Sequence, residues 1–171
     1  MLDTTVSTLL NEQIMKELYS AYLYLDIANF YSDKGLEGFE NWFFIQAQEE
    51  RDHAMLIRQY LLNNDEVIKL LPIAAPEETY ENFGMPLDVT LAHEKTVTAS
   101  INNIYAAAYE IKDFRTMEFL NWFVKEQGEE EKNASDLITK FALFGSDAKA
   151  LYELDQELKT RVYAPPSLIL D

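Results

Sequence analysis

The segment AQEERDHAML, residues 47–56, decides the fold, because it points two polar groups to the side of a helix that should be apolar. Glu50 and His53 are three residues apart, so a helix places both on one face. That face continues through Phe43 in one direction and through Ile57 in the other. Such a face turns toward a protein interior, so the carboxylate and the imidazole require a physical reason to lie there.

Helical periodicity extends outward from this segment over most of the chain, and only five glycines and five prolines interrupt the 171 residues. Four long helices are predicted, with bounds of about 5–32, 37–62, 86–112 and 114–144. A short fifth helix is predicted over about 147–161, followed by an extended tail over 162–171 that contains two adjacent prolines. The sequence therefore predicts an all-α fold in a single domain, residues 1–171, with the bundle at about 5–144.

The connections between the four long helices differ in length. A few residues join the first helix to the second and the third to the fourth, which predicts two antiparallel hairpins. Residues 63–84 join the two hairpins, and a connection of that length can run along a whole helix. We therefore expect a four-helix bundle with a long crossover between helices two and three, in which the second hairpin runs parallel to the first.

Composition and charge disfavour several classes of protein. The formal net charge of -16 argues against nucleic acid as a partner, because phosphates would be repelled over most of the surface, and makes cations the natural small partners. No cysteine is present, so a disulfide-built secreted domain is not indicated. The chain shows neither a signal-peptide pattern nor a run of about 18 apolar residues, so no membrane partner is expected and a cytoplasmic location is predicted.

The inward-facing stripe of each long helix contains at least one ionisable side chain, in the alternation of three and four residues that faces the middle of a bundle. The polar members of the stripes are Glu17, Gln46, Glu50, His53, Glu94, Gln127 and Glu130. Each buried charge costs several kcal/mol unless it is compensated, against a total stability of about 5–15 kcal/mol. Because no Lys or Arg lies on the stripes, ion pairing does not compensate these acids, whereas a bound cation would hold them ionised.

The spacing of these residues repeats between the two hairpins. Glu17 precedes Glu50 by the same 33 residues that separate Glu94 from Gln127. The second helix of each hairpin then presents a pair of polar groups three residues apart. We therefore expect pseudo-twofold symmetry that brings both sets together at mid-height, the alternative being a chance repeat in a glutamate-rich chain.

The types of these side chains indicate which metal they would bind. Oxygen ligands with a single imidazole favour iron or manganese, and the absence of thiolates disfavours a structural zinc site. The first metal position is predicted at Glu17, Glu50 and His53, with Glu50 reaching both metals. A second and weaker position is predicted at Glu50 and Glu94, with Glu130 as an optional ligand.

The same residues resemble the ferroxidase centre of bacterial non-haem ferritins. The similar segments are Glu17, EERDH at 49–53, Glu94 and EQGEEE at 126–131, within a similarity that extends from LNEQ at 10–13 through the fifth helix. Ferritin-like di-iron proteins typically contribute a Glu from two helices and a Glu-x-x-His pair from each of the other two. Gln127-x-x-Glu130 replaces the second pair here, which separates the chain from bacterioferritins and from di-iron oxygenases and reductases.

The resemblance implies roles for individual residues. It implies a first iron at Glu17, Glu50 and His53, and a second at Glu50 and Glu94 with Gln127 or Glu130. It implies a third, inward-facing iron position near Glu49, Glu126, Glu129 and Glu130. Tyr24, on the same stripe as Glu17, would hydrogen-bond a ligand carboxylate and supply an electron during oxygen reduction. Haem is not expected, because Asp52 stands where bacterioferritins have a haem-binding Met.

By the same resemblance, the expected function is iron storage. Fe(II) would be oxidised to Fe(III) at the di-iron site by dioxygen or hydrogen peroxide. The ferric product would be deposited as mineral inside a hollow shell of twenty-four subunits, with the short fifth helix lining a four-fold pore.

Two other functions are compatible with the same sequence. One is a carboxylate-bridged di-iron oxidase acting on an organic substrate, although such an enzyme needs a second histidine. The other is a non-catalytic structural shell subunit or helical partner-binding protein, whose polar stripe is merely hydrogen-bonded. Single residues also have simpler interpretations: Tyr24 as a core tyrosine, residues 126–131 as a solvated acidic face, and His93 as an exposed residue beside the stripe.

Overall fold

The structure, a computed structural model that describes residues 2–170, contains five α-helices and no strand among those residues. The helices are α1 (Thr4–Asp33), α2 (Glu37–Asn63), α3 (Met85–Glu110), α4 (Phe114–Phe144) and α5 (Ala148–Leu158). The prediction of an all-α four-helix bundle with a short fifth helix is confirmed. The largest difference in bounds is at α5, which ends at Leu158 instead of about residue 161.

Local signals set most of the helix ends. The carboxylates of Asp3, Asp113 and Asp147 accept hydrogen bonds from backbone N–H groups of the first turns of α1, α4 and α5. Gly35 follows α1 with a φ of 74°, the left-handed conformation that favours glycine after a helix. Pro86 lies in the first turn of α3, where its missing N–H costs no hydrogen bond.

The first turn of α2 is capped from a distant part of the chain. Its N-cap residue, Leu36, has no side chain that can accept a hydrogen bond. Instead, the buried carboxylate of Asp155 in α5 accepts from the backbone N–H groups of Gly38, at 2.8 Å, and of Phe39, at 3.1 Å. A Cβ atom at Gly38 would lie 1.7 Å from the carbonyl oxygen of Asp155, so only glycine allows this close approach.

The connection between the hairpins follows α1 along its length. The carboxylate of Glu66 accepts a hydrogen bond from Ser7 near the start of α1, at 2.7 Å. At the other end, the Tyr31 hydroxyl donates to the carbonyl oxygen of Phe83, at 2.6 Å. The long crossover is thus present, with residues 64–84 outside the helices.

The expected direction of the second hairpin was wrong. Contacts between α1 and α3 run in opposite directions along the two helices, since Gln13 meets Ser100 whereas Tyr24 meets Glu94. A crossover that spans the bundle returns the chain to the end where α2 began, so α3 runs parallel to α2 and antiparallel to α1. The second hairpin is therefore reversed relative to the first.

The core consists of two apolar clusters with a polar layer between them. One cluster joins the first half of α1 to the second halves of α2 and α3 and the start of α4. The other joins the second half of α1 to the first half of α2 and to α5. All seven polar stripe residues, Glu17, Gln46, Glu50, His53, Glu94, Gln127 and Glu130, are buried. No helix within residues 2–170 combines the length and apolar character needed to cross a membrane.

The cap from α5 gives a test of how that helix is held. Replacing Asp155 with Ala would leave the Gly38 and Phe39 N–H groups buried without an acceptor, at a cost of about 1–3 kcal/mol. We expect faster hydrogen exchange of these two amides and of α5, together with a lower thermal midpoint. Asp155→Asn keeps the acceptor oxygen and should lose much less. Equal losses for Ala and Asn would contradict the capping role.

Candidate metal centre

A compact group of three ligating side chains lies in the polar layer. α1 contributes Glu17, and α2 contributes Glu50 and His53 from successive turns of one face. Their side chains are only 1–2% exposed, and one ligand atom from each lies within 4.8 Å of the others. His53 Nδ1 is 3.4 Å from Glu50 Oε2. The three residues that were predicted as neighbours therefore do lie together, and their role as metal ligands stays a prediction.

Several polar atoms of this group have no hydrogen-bond partner in the part of the chain that the structure describes. Glu17 Oε2, both carboxylate oxygens of Glu50 and His53 Nδ1 are buried and unpaired. Buried polar atoms are almost always satisfied in folded proteins, so four such atoms in one place indicate that another group is meant to bind there. Carboxylate oxygens and a neutral imidazole nitrogen are suitable ligands for a transition-metal cation. The donor set therefore fits a metal ion.

Burial dominates the electrostatics of this group. It raises the pKa of Glu17 to about 7 and raises the pKa of Glu50 well above its usual value, where the nearby acids Glu94 and Glu17 add to the effect. The pKa of His53 is lowered to about 4, again by burial, so its imidazole is neutral near pH 7. The group thus favours protonated carboxyls until a cation supplies positive charge.

A second group shares His53 with the fourth helix. One ligand atom each of His53, Glu126 and Glu130 lies within 4.8 Å of the others, with Glu126 half-buried. The Gln46 amide donates to Glu130 Oε2 at 2.8 Å. Burial, followed by the charge of Glu94, raises the pKa of Glu130 to about 8. Glu130 therefore faces the centre from α4 with one oxygen already engaged.

Glu94 from α3 is held by two hydrogen bonds. The Tyr24 hydroxyl donates to Oε1, and the Gln127 amide donates to Oε2 at 3.0 Å. Tyr24 therefore makes a hydrogen bond to a carboxylate, as the resemblance implied, and its redox role stays a prediction. Burial raises the pKa of the Tyr24 phenol, as do the surrounding acids, so the hydroxyl keeps its proton. Among the described residues, Glu94 belongs to neither three-residue group, although its charge raises the pKa of Glu50.

The four residues implied for a third metal position do not all come together. Glu126 and Glu130 share a group, but Glu49 forms an ion pair with Arg161 at 2.6 Å. Glu129 points to the exposed side of α4, where it pairs with Lys125 at 3.4 Å. Arg161, which lies outside the stripes, therefore forms an ion pair with one of these acids. The stripe pattern did not predict this contact.

Sequence reasoning missed several neighbours of the centre. Gln13 donates to Glu17 Oε1 at 2.9 Å, a contact that its position one helical turn earlier could have indicated. His93, which was expected to be exposed, is half-buried: its Nε2 is 2.8 Å from the Ser20 hydroxyl, and its ring lies edge-on to Tyr24. Trp122 is not among the missed residues: its place in the sequence indicates a packing residue beside the site, and its ring centroid lies 5.5 Å from that of His53.

Comparisons with known proteins identify the family. The sequence model of the ferritin-like domain matches residues 7–144. The chain is 36% identical over 159 residues to the bacterial non-heme ferritin of Campylobacter jejuni, covering 93% of this chain and 95% of that protein. It is 35% identical over 163 residues to the bacterial non-heme ferritin of Staphylococcus saprophyticus, covering 95% of this chain and 98% of that one.

The fold gives the same result. An Archaeoglobus fulgidus ferritin, engineered into a closed form by site-directed mutagenesis, superposes with a TM-score of 0.93 at 38% identity and covers 96% of this chain and 100% of its own. An open-pore ferritin from the same archaeon superposes with a TM-score of 0.92, also at 38% identity, over 94% of this chain and 98% of its own. Since both the sequence matches and the fold extend over nearly the whole chain, the protein that surrounds this buried layer of acids belongs to the ferritin family.

Proposed function

We propose that this protein is an iron-storage ferritin subunit, a single domain that binds Fe(II) in its polar layer and oxidises it to Fe(III). The observation that carries the proposal is the set of four unpaired, buried ligand atoms on Glu17, Glu50 and His53. A structural subunit with a merely hydrogen-bonded stripe would have satisfied these atoms. An oxidase for organic substrates has no supporting feature, because Glu130 stands where the second histidine is expected.

The ligand roles follow from which atoms are free. Glu17, Glu50 and His53 would bind the first Fe(II), since their atoms converge without other partners. The second Fe(II) would bind between Glu50 and the hydrogen-bonded acids Glu94 and Glu130, with Gln127 nearby. Because Glu94 accepts a hydrogen bond on each oxygen and Glu130 on one, the second ion must compete for three of these four oxygens. We infer that it is held more weakly than the first.

The proposed oxidation of Fe(II) by dioxygen balances in electrons and protons. Two Fe(II) ions each lose one electron, and one dioxygen takes up both electrons and two protons to give hydrogen peroxide. The carboxyl groups are a source of such protons, because a cation that binds raised-pKa acids displaces them. Hard carboxylate oxygens favour the more highly charged product. Tyr24, hydrogen-bonded to Glu94, would hold this carboxylate in place. Hydrogen peroxide would serve as an alternative oxidant, taking one electron from each of two Fe(II) ions and two protons to give two waters.

Assembly completes the proposal. As in the ferritins that the sequence resembles, twenty-four copies would form a hollow shell in the cytoplasm. A chain with a formal net charge of -16 attracts cations, and mineral would grow in the enclosed space. Native mass of the purified protein tests the shell directly.

Glu50 is the carboxylate that would reach both iron positions. Glu50→Ala removes both unpaired oxygens, so we expect fast Fe(II) oxidation to fall by more than the roughly 10–100-fold typical of losing an outer-shell partner. The measurement is the initial rise in ultraviolet absorbance after aerobic Fe(II) addition. Glu153→Ala, at an exposed position of α5, is the control and should oxidise iron at the wild-type rate. Equal rates for Glu50→Ala and wild type would disprove the ferroxidase role.

The second prediction separates Tyr24 from other buried tyrosines. Tyr24→Phe keeps the ring but loses the donor to Glu94, so we expect oxidation to slow by about 10-fold or more. Tyr31→Phe is the matched control, since Tyr31 lies on the same stripe but donates to a backbone carbonyl away from the centre. The two variants should have different oxidation rates and similar thermal midpoints. If both slow oxidation equally, Tyr24 has no specific role.

The third prediction is a pH dependence of the metal-free protein. The carboxyls of Glu17 and Glu130 ionise at 4.5 when unperturbed but at about 7 and about 8 in the folded chain. The folded state therefore binds more protons between these values, and stability should fall as pH rises through this range. Below pH 4.5 both states are protonated and this contribution vanishes.

Thermal unfolding of the metal-free protein at about pH 5 and about pH 8 measures this effect. Glu130→Gln cannot ionise at that position, so it should show a smaller drop than wild type. Co(II), a divalent cation that can replace Fe(II) and is not oxidised by air under these conditions, should restore stability at the higher pH. A wild type and Glu130→Gln with identical pH profiles would show that these acids do not control stability.

A further inference from the structure

The chain after α5 lies along α2 and reaches α4. We call residues 161–170 the C-terminal strap. The Asn41 side chain donates to the carbonyl oxygen of Arg161 at 3.0 Å, and the Tyr163 hydroxyl donates to Asp52 one helical turn beyond Glu49. Trp122 Nε1 donates to the Ser167 hydroxyl at 2.9 Å. The strap is therefore fixed at three points beside the metal centre.

Arg161 makes the densest set of contacts in the strap. Its Nη1 donates to the carbonyl oxygen of Trp42 at 3.1 Å, and its guanidinium carbon lies 4.8 Å from the centre of the Trp42 ring. Its Nη2 donates to Gln46 Oε1 at 2.5 Å and to Glu49 Oε2 at 2.6 Å. A planar guanidinium with this many directed contacts is strongly held in one place.

These contacts connect Arg161 to the metal centre through one side chain. Because Gln46 Oε1 accepts from Arg161, the amide nitrogen of Gln46 must point the other way, and it donates to Glu130 Oε2 at 2.8 Å. Gln46 is buried, so water does not compete for either end. The orientation of Glu130 is thus fixed by a residue that lies outside the bundle helices.

The Arg161 guanidinium also offsets negative charge on the side of the metal centre that faces the C-terminal strap. Glu49, Glu126 and Glu130 all face this region, and a metal ion beside them would need the oxygens of more than one acid. Arg161 already provides a positive charge to Glu49 at ion-pair distance. A cation that used Glu49 as a ligand would first have to displace a guanidinium that is bonded to three partners.

We propose that Arg161 acts as a built-in cation of the metal centre: it occupies Glu49, orients Glu130 through Gln46, and so limits each chain to two metal positions by excluding a third. This inference rests on the proposed function, because it concerns how many ions the same centre accepts. Arg161 is a positioning residue and touches no iron itself. The third position that the resemblance implied is therefore closed in the wild-type chain and opens when the guanidinium is removed.

The test is the number of Co(II) ions bound per chain, measured on the assembled protein by calorimetric titration in enough salt to screen the acidic surface. We expect two for the wild type and three for Arg161→Gln. Lys125→Gln is the matched control, because it removes a positive charge next to Glu129 on the same acidic run without touching Glu49. It should still bind two. Arg161→Lys keeps the charge and should also bind two.

Glu49→Gln in the wild type provides a readout that does not depend on folding of the Arg161 variants. If Arg161 rather than a metal holds Glu49, this variant still binds two ions, and Arg161→Gln with Glu49→Gln loses the added third. A wild type that binds three ions and loses one in Glu49→Gln would overturn the inference, as would a native Arg161→Gln that binds two. A wild type unaffected by Glu50→Ala would instead overturn the proposed function.

Discussion

The constraint on which this structure depends is the burial of several carboxyl groups in one layer without a lysine or arginine from the bundle stripes. Apolar clusters on both sides of the layer supply the favourable burial that allows such a layer to exist. The acids then have two ways to avoid isolated charge, which are protonation and a bound cation. The raised pKa values of Glu17 and Glu130 show the first, and the unpaired atoms of Glu50 provide for the second. Stability and metal binding are therefore two aspects of the same charge balance.

The reversed second hairpin explains why the two halves of the layer differ. α3 packs antiparallel to α1, which places Glu94 against Tyr24 and beside Gln127, so both oxygens of Glu94 are hydrogen-bonded. In the first hairpin, by contrast, both oxygens of Glu50 are buried without a well-formed hydrogen bond to any residue within 2–170. A repeat in sequence thus produces unequal environments in space. One half is open to an ion, and the other must exchange existing hydrogen bonds before it can bind one.

Sequence patterns predicted the features that depend on residues close together in the chain. Periodicity placed four long helices within a few residues of their bounds, and the stripes identified Glu17, Glu50 and His53 as neighbours. The features that were missed join residues far apart: Asp155 caps α2 from 117 positions away, and Arg161 reaches Glu49 across 112. Arg161 lies in a non-helical tail, so no helical periodicity in the sequence identifies Glu49 as its partner. The direction of α3 also depends on where the crossover ends.

The tail and the centre illustrate two solutions to the same electrostatic problem. At Glu49 the chain supplies its own positive charge, which is covalently attached, hydrogen-bonded to three partners and unable to leave. At Glu50 the described residues supply none, so the acid keeps its proton until a cation from solution displaces it. A guanidinium beside Glu50 would stabilise the fold but would also compete with every incoming ion. Under the proposed function iron enters this layer and leaves it again, so a permanent cation is better placed on the neighbouring acid Glu49 than at Glu50.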